Sequence, residues 1–75
     1  MGRLKPLPFR EVKRRLESAG FVETSQKGSH VKLDRKINEA IDTAIIPKKP
    51  EIPVGTLHSV LSQTHIALED WEQLG

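Results

Sequence analysis

A two-layer α+β domain, with element order α-β-β-β-α and a short C-terminal helix, is the fold this sequence predicts. Three observations lead there. Apolar residues recur at helical spacing near both ends of the chain: Phe9, Val12, Leu16 and Ala19, then Leu57, Val60, Leu61 and Thr64. The middle alternates instead, with Val31 and Leu33 set against His30 and Lys32, and Ile41, Thr43 and Ile45 against Asp42, Ala44 and Ile46. The connections between the alternating segments are short and polar, which favours an antiparallel meander over crossovers.

Residues 1–8 form a proline-punctuated lead-in, with Pro8 suited to the first turn of a helix. That helix carries Arg10, Glu11, Lys13, Arg14, Arg15 and Glu17 on its wet side, and Gly20 stops it in a left-handed conformation. Phe21-Val22-Glu23-Thr24 is β-prone, Ser25-Gln26-Lys27-Gly28 reads as a polar turn, and His30 to Leu33 is the returning strand. Asp34-Arg35-Lys36 with Asn38 reads as a second turn before the third strand, which Pro47 ends because it cannot donate to a ladder. After the loop Lys48-Lys49-Pro50-Glu51-Ile52-Pro53, Thr56 or the preceding loop caps the second helix. Leu68, Trp71 and Leu74 mark the terminal helix, with Glu69 and Asp70 in its first turn as the helix dipole prefers. Both long helices bring one apolar stripe to one sheet face, leaving the other open. This is the layout of double-stranded-RNA-binding domains, which read RNA by shape and backbone contacts.

Seventy-five residues allow one domain, 1–75, near the size at which only about 60% of a chain's surface can be buried. No cysteine is present, so no disulfide or thiolate zinc site staples it. No apolar run approaches the roughly 20 residues of a membrane span and no signal-peptide core follows Met1, so a cytoplasmic protein without a membrane partner is the expectation. The net charge of +2 hides a polarity: residues 1–50 hold all 12 Lys and Arg against six acids, whereas residues 51–75 hold four acids and no Lys or Arg. A basic body with an acidic tail fits a polyanion binder.

The stretch Lys27-Gly28-Ser29-His30-Val31-Lys32-Leu33 concentrates the chemistry. On a strand its period of two puts His30 and Lys32 on one face and Val31 and Leu33 on the other. One face is then apolar, and the other offers a group that titrates near neutrality beside a fixed positive charge. No Walker loop, dinucleotide glycine signature or Gly-x-Ser-x-Gly elbow occurs. His58 and His65 are seven apart without a carboxylate at ligand spacing, so no metal site is expected. Aromatic residues are scarce; Phe9 and Phe21 read as core and Trp71 as the anchor of the last helix, which disfavours a reader that stacks splayed-out bases. On residues alone, three readings stand: an RNA-cleaving enzyme, a non-catalytic RNA-binding module, and a protein-interaction domain using the open sheet face.

Four pieces occur in order at near-matching spacing: Ala19-Gly20-Phe21, Gln26-Lys27-Gly28-Ser29-His30, Ile45-Ile46-Pro47, and Gly55-Thr56-Leu57 through Val60-Leu61. Together they resemble the HicA-type toxin family, the small mRNA interferases of type II toxin–antitoxin modules, over about Leu7 to Leu74. The resemblance implies the double-stranded-RNA-binding fold, an mRNA substrate, cleavage without a required metal or other cofactor, and silencing by a HicB-type antitoxin. It also implies that the histidine of Gly28-Ser29-His30 is catalytic. An imidazole with pKa about 6.5 suits removal of the 2′-OH proton that starts RNA cleavage, a role contributing about 10²–10⁴-fold. Lys27, Ser29, Lys32, Lys48 and Lys49 are then candidate phosphate contacts, and Gly28 allows a phosphate to approach the backbone. Many relatives carry a second histidine two residues after the proline that ends the third strand. This chain has Lys48 and Lys49 after Pro47, so a single general base with cationic stabilisation is the expected mechanism.

Overall fold

The computed structural model describes residues 4–75, so the expected lead-in is described from Leu4 onward and residues 1–3 lie outside the described residues. The elements are α1 (Phe9–Ser18), β1 (Val22–Lys27), β2 (His30–Ile37), β3 (Ala40–Pro47), α2 (Val54–Thr64) and α3 (Leu68–Gln73). The three strands form one antiparallel sheet in the order β1-β2-β3. This is the α+β arrangement predicted, with a double-stranded-RNA-binding layout.

Helix α1 starts after Pro8, which stands extended at the N-cap, and buries Val12 and Leu16. At its end the Phe21 N–H reaches the Leu16 carbonyl (3.0 Å) and the Gly20 N–H reaches Glu17 (3.0 Å). That pair of bonds is a Schellman motif, and it requires the left-handed φ of +97° that Gly20 supplies. On the outer side of α1, Arg14 and Arg15 both donate to Glu11. Their hydrogen bonds lower the Glu11 carboxyl pKa to about 2.

The strands are longer, and their turns tighter, than the sequence suggests. Ser25, Gln26 and Lys27 continue β1, and the first turn is Gly28-Ser29 alone, with φ +60° at Gly28. Glycine at the first central position with positive φ is what a two-residue type II′ hairpin demands. Asp34, Arg35 and Lys36 likewise belong to β2 rather than to a turn, and the second reversal is Asn38-Glu39, with φ +56° at Asn38. Polar residues extend both strands because one sheet face meets water and accepts them without desolvation.

Arg35 is the larger surprise. It sits on the helix-covered face, stacked 4.6 Å from the centroid of the Phe21 ring. Its guanidinium donates to the Ala19 and Thr64 carbonyls at the ends of α1 and α2, and to Asp42 of β3, each at 3.1 Å. One side chain thus ties both long helices to the sheet and occupies carbonyls that helix ends leave unsatisfied.

A second deviation lies in β1. Its register with β2 shifts between Glu23 and Ser25, a bulge at Thr24. The bulge changes which face the strand presents. Phe21 is buried and Glu23 turns toward α1, where it pairs with Lys13 at 2.8 Å. Beyond it, Ser25 and Lys27 share the register positions of Lys32 and His30 on the open face.

Between sheet and helices lies one cluster of buried side chains, including Val12, Leu16, Phe21, Val31, Leu33, Ala44, Ile46, Ile52, Leu57, Val60 and Trp71. Each large apolar member contributes about 1.5–3 kcal/mol by leaving water. Leu57, Val60, Leu61 and Thr64 face this core from α2 as the spacing predicts, and the buried Thr64 hydroxyl is satisfied by the Val60 carbonyl at 2.8 Å. Thr56 is no cap: α2 begins at Val54 behind Pro53, without a side-chain cap. Leu7 and Ile52 exchange backbone hydrogen bonds, fastening the lead-in to the loop before α2. Trp71 anchors α3, only 1% exposed, beneath the Arg15 guanidinium 5.3 Å from its ring centroid.

Candidate functional site

Because β2 is the central strand, its alternation decides what each sheet face carries. Val31, Leu33 and Arg35 point to the helices; His30, Lys32, Asp34 and Lys36 occupy the open face. The register then arranges that face in rows. Lys27, His30 and Pro47 form the first row, Ser25, Lys32 and Ile45 the second, and Val22, Asp34 and Thr43 the third. Lys36 and Ile41 form the fourth. Partners across a row stand about 4.5–5.5 Å apart, close enough to act on one ligand group.

The first two rows border a depression of about 340 Å³ lined by Ser25, Lys27, His30, Lys32 and Ile45. Three residues singled out in the sequence, Lys27, His30 and Lys32, therefore meet in one cavity. Gly28 and Ser29 form the turn at its end. There the Ser29 carbonyl accepts from the Lys48 N–H, which joins the β1–β2 turn to the segment that follows β3. Lys49 continues from Lys48, its N–H bonded back to Pro47 at 2.9 Å. Lys48 and Lys49 are exposed at this end of the sheet but do not line the cavity. No side chain lies within 4 Å of where a Gly28 Cβ would stand, so the turn leaves its backbone open to a ligand.

Two cavity residues are not evident from the sequence. Ser25 reads there as part of a turn, and only the Thr24 bulge brings it opposite Lys32. Ile45 reads as strand but not as site, since alternation alone does not say which of Ile45 and Ile46 is buried; Ile46 is fully buried and Ile45 is 47% exposed.

In the third row Asp34 is held from both sides. The Thr43 hydroxyl donates to one carboxylate oxygen at 2.7 Å and the Thr24 hydroxyl to the other at 3.0 Å. These bonds, with Lys32 nearby, keep the Asp34 carboxyl below the ordinary carboxylate range. Lys32 Nζ is 3.9 Å from Asp34, so this lysine is shared between the cavity and the carboxylate. An ionised carboxylate repels phosphate, and it sets a boundary between the cationic end of the face and the rows beyond.

The two other histidines lie elsewhere. His58 is exposed on α2. His65 ends that helix in a left-handed conformation with φ +58°, its ring 3.0 Å from Asp42. Among the described residues no three His, Cys, Asp or Glu side chains gather as metal ligands would. A second hollow, about 190 Å³ and lined by Leu4, Lys5, Leu7, Arg15, Trp71 and Glu72, contains none of the motif residues, and its Arg15 is already engaged by Glu11 and the Trp71 carbonyl. No described helix is long and apolar enough to cross a membrane.

The geometry therefore offers an exposed imidazole beside Lys27 of β1 and Lys32 of its own strand, with open backbone at its edge and a carboxylate as its limit. Such a set can move a proton at a phosphodiester and hold the phosphate while it does so. No curated protein matches the chain. A family model described as the HicA toxin of bacterial toxin-antitoxin matches residues 9–66, from the first residue of α1 to just past the end of α2.

Proposed function

The chain belongs to the HicA toxin family, and from that premise we propose that it is an endoribonuclease that cleaves messenger RNA. The observation that carries this reading is the cavity shared by Lys27, His30 and Lys32, immediately beside the Gly28-Ser29 turn. His30 takes the proton from a 2′-OH as that oxygen attacks the neighbouring phosphorus. The P–O2′ bond forms and the P–O5′ bond breaks, leaving a 2′,3′-cyclic phosphate on one fragment. The 5′-oxygen leaves with a proton returned from the imidazolium or from water. Lys27 and Lys32 offset the charge on the phosphate, and Ser29, Lys48 and Lys49 with the open backbone at Gly28 hold the strand on the outer side of the turn. Proton transfer through a single base is worth about 10²–10⁴-fold.

A toxin of this family has an antitoxin partner. A HicB-type antitoxin silences this chain by covering the end of the sheet that bears His30, Lys32 and the Lys48-Lys49 segment. Residues 51–75, which carry four acids and no Lys or Arg, lie outside the centre of that contact, because a surface complementary to the cationic rows is itself acidic and is repelled by them.

The test is induction of the wild-type chain and of His30→Ala in a bacterial host, with growth and messenger-RNA decay followed together. Arrest and decay are expected for the wild type and neither for the variant. Equal RNA decay from both would remove His30 as the base, and leave a non-catalytic RNA-binding module if neither cleaves RNA when purified.

A further inference from the structure

The two edges of the sheet differ in how they are guarded. The β1 edge is broken by the Thr24 bulge and ends in Lys27, two devices that discourage another strand from adding. The β3 edge has neither. Its register with β2 runs without a shift from Ala40 to Pro47, and no lysine or proline interrupts it before Pro47. Among the described residues, the backbone groups of Ala40–Ile46 have no partner outside the strand pairing with β2. This edge also exposes two large apolar side chains, Ile41 at 65% and Ile45 at 47%.

The sequence of the edge is self-complementary. Ile41-Asp42-Thr43-Ala44-Ile45 is symmetric about Thr43 in the chemistry it shows on the open face, with isoleucine, threonine and isoleucine at alternate positions. If a second copy runs antiparallel about a two-fold axis at Thr43, Ile41 falls opposite Ile45 of the other copy, twice, and Thr43 falls opposite itself. Cross-strand pairs of β-branched residues and of threonines are among those that stabilise antiparallel sheets. On the opposite face Asp42 meets the small Ala44, so its bonds to Arg35 and His65 need not break. A two-fold axis closes the assembly at two copies, because each free edge is consumed by the other.

We infer that the β3 edge is a homodimer interface, with a second copy of this chain as its partner and the two sheets continued into one of six strands. The axis is perpendicular to the sheet, so both open faces look the same way. The row of Lys36 and Ile41 runs on into Ile45 and Lys32 of the second copy. The two His30 residues then lie on one surface, about 30 Å apart by strand rise and spacing. The contact is one strand wide, below the size of most stable interfaces, so the dimer is weak and concentration-dependent. The strand pairing is the same whether or not the chain is a nuclease.

The chain has no cysteine, which makes the register directly testable. Thr43→Cys places two thiols opposite each other at a Cα separation compatible with a disulfide, whereas Ser25→Cys, on β1, does not. Under mild oxidation the first variant is expected to give a covalent dimer and the second to remain a monomer. Sedimentation equilibrium of the unmodified chain, from micromolar to millimolar concentration, is expected to show a monomer–dimer equilibrium. The double variant Ile41→Lys/Ile45→Lys should raise its dissociation constant at least tenfold. A chain that stays monomeric throughout that range overturns the inference, as does a dimer that survives the double variant or cross-links equally through Ser25→Cys.

Discussion

The covered and open faces of the sheet are built from the same three strands, yet polar groups serve opposite ends on them. On the covered face Arg35 is half-buried and every bond it makes, to Ala19, Asp42 and Thr64, joins one element to another. On the open face His30, Lys27 and Lys32 are exposed with much of their hydrogen-bonding capacity unspent. Position in the alternation of β2, not residue type, separates structural polarity from available polarity. Arg35 and Lys36 are neighbours in sequence and lie in different chemical settings.

The largest effect on function is expected at His30. His30→Ala should lower RNA cleavage by about 10²–10⁴-fold, while the melting temperature stays where it was, because the ring is exposed and spans no two elements. A melting temperature that fell as far as for a core substitution would merge the two faces into one role.

Next in size is Arg35→Ala. It leaves two helix-end carbonyls without their donor, a loss of about 1–3 kcal/mol for acceptors that water does not fully reach. Urea unfolding followed by circular dichroism reads this directly. A midpoint equal to that of the wild type would mean that the helices are held by packing alone.

A smaller effect is expected from the cations of the open face. Removing Lys27 and Lys48 together should weaken RNA binding and reduce the slope of log K against log salt by about 0.7 for each single-strand phosphate left without its cation, with stability unchanged. Titrations at several salt concentrations with an uncleaved RNA would show it, and an unaltered slope would place the footprint elsewhere.

The finest distinction is between the aspartates of the two faces. Asp42 is held below the ordinary carboxylate range by Arg35 first and by His65. Asp34 is held down by Thr43, with Thr24 and Lys32 adding to it. A depressed pKa in the folded state means stability that is complete above the unfolded value, about 3.9, and is lost as pH falls toward the folded value. Both Asp42→Asn and Asp34→Asn should therefore flatten the fall of melting temperature below about pH 4. The larger change is expected for Asp42, whose charge faces Arg35. Identical acid profiles for the two variants would show that the faces do not differ in this respect.

Much of this protein is legible in its sequence, for a physical reason. Helical and alternating periodicities are local, so α1, α2, the three strands and the pairing of His30 with Lys32 on one face follow from residues a few positions apart. Gly20 and Gly28 mark chain reversals that only a residue free to take positive φ accommodates at little cost. The remaining features depend on partners distant in the chain. The Thr24 bulge, set by pairing with β2, brings Ser25 into the cavity. The helix layer chooses Ile46 over Ile45 for burial. Arg35 reads as a turn residue until α1 and α2 bring their last carbonyls to it, 16 and 29 residues away in the chain. A local pattern records the period of a segment; which polar group is consumed and which is left to act is decided only when the other elements arrive.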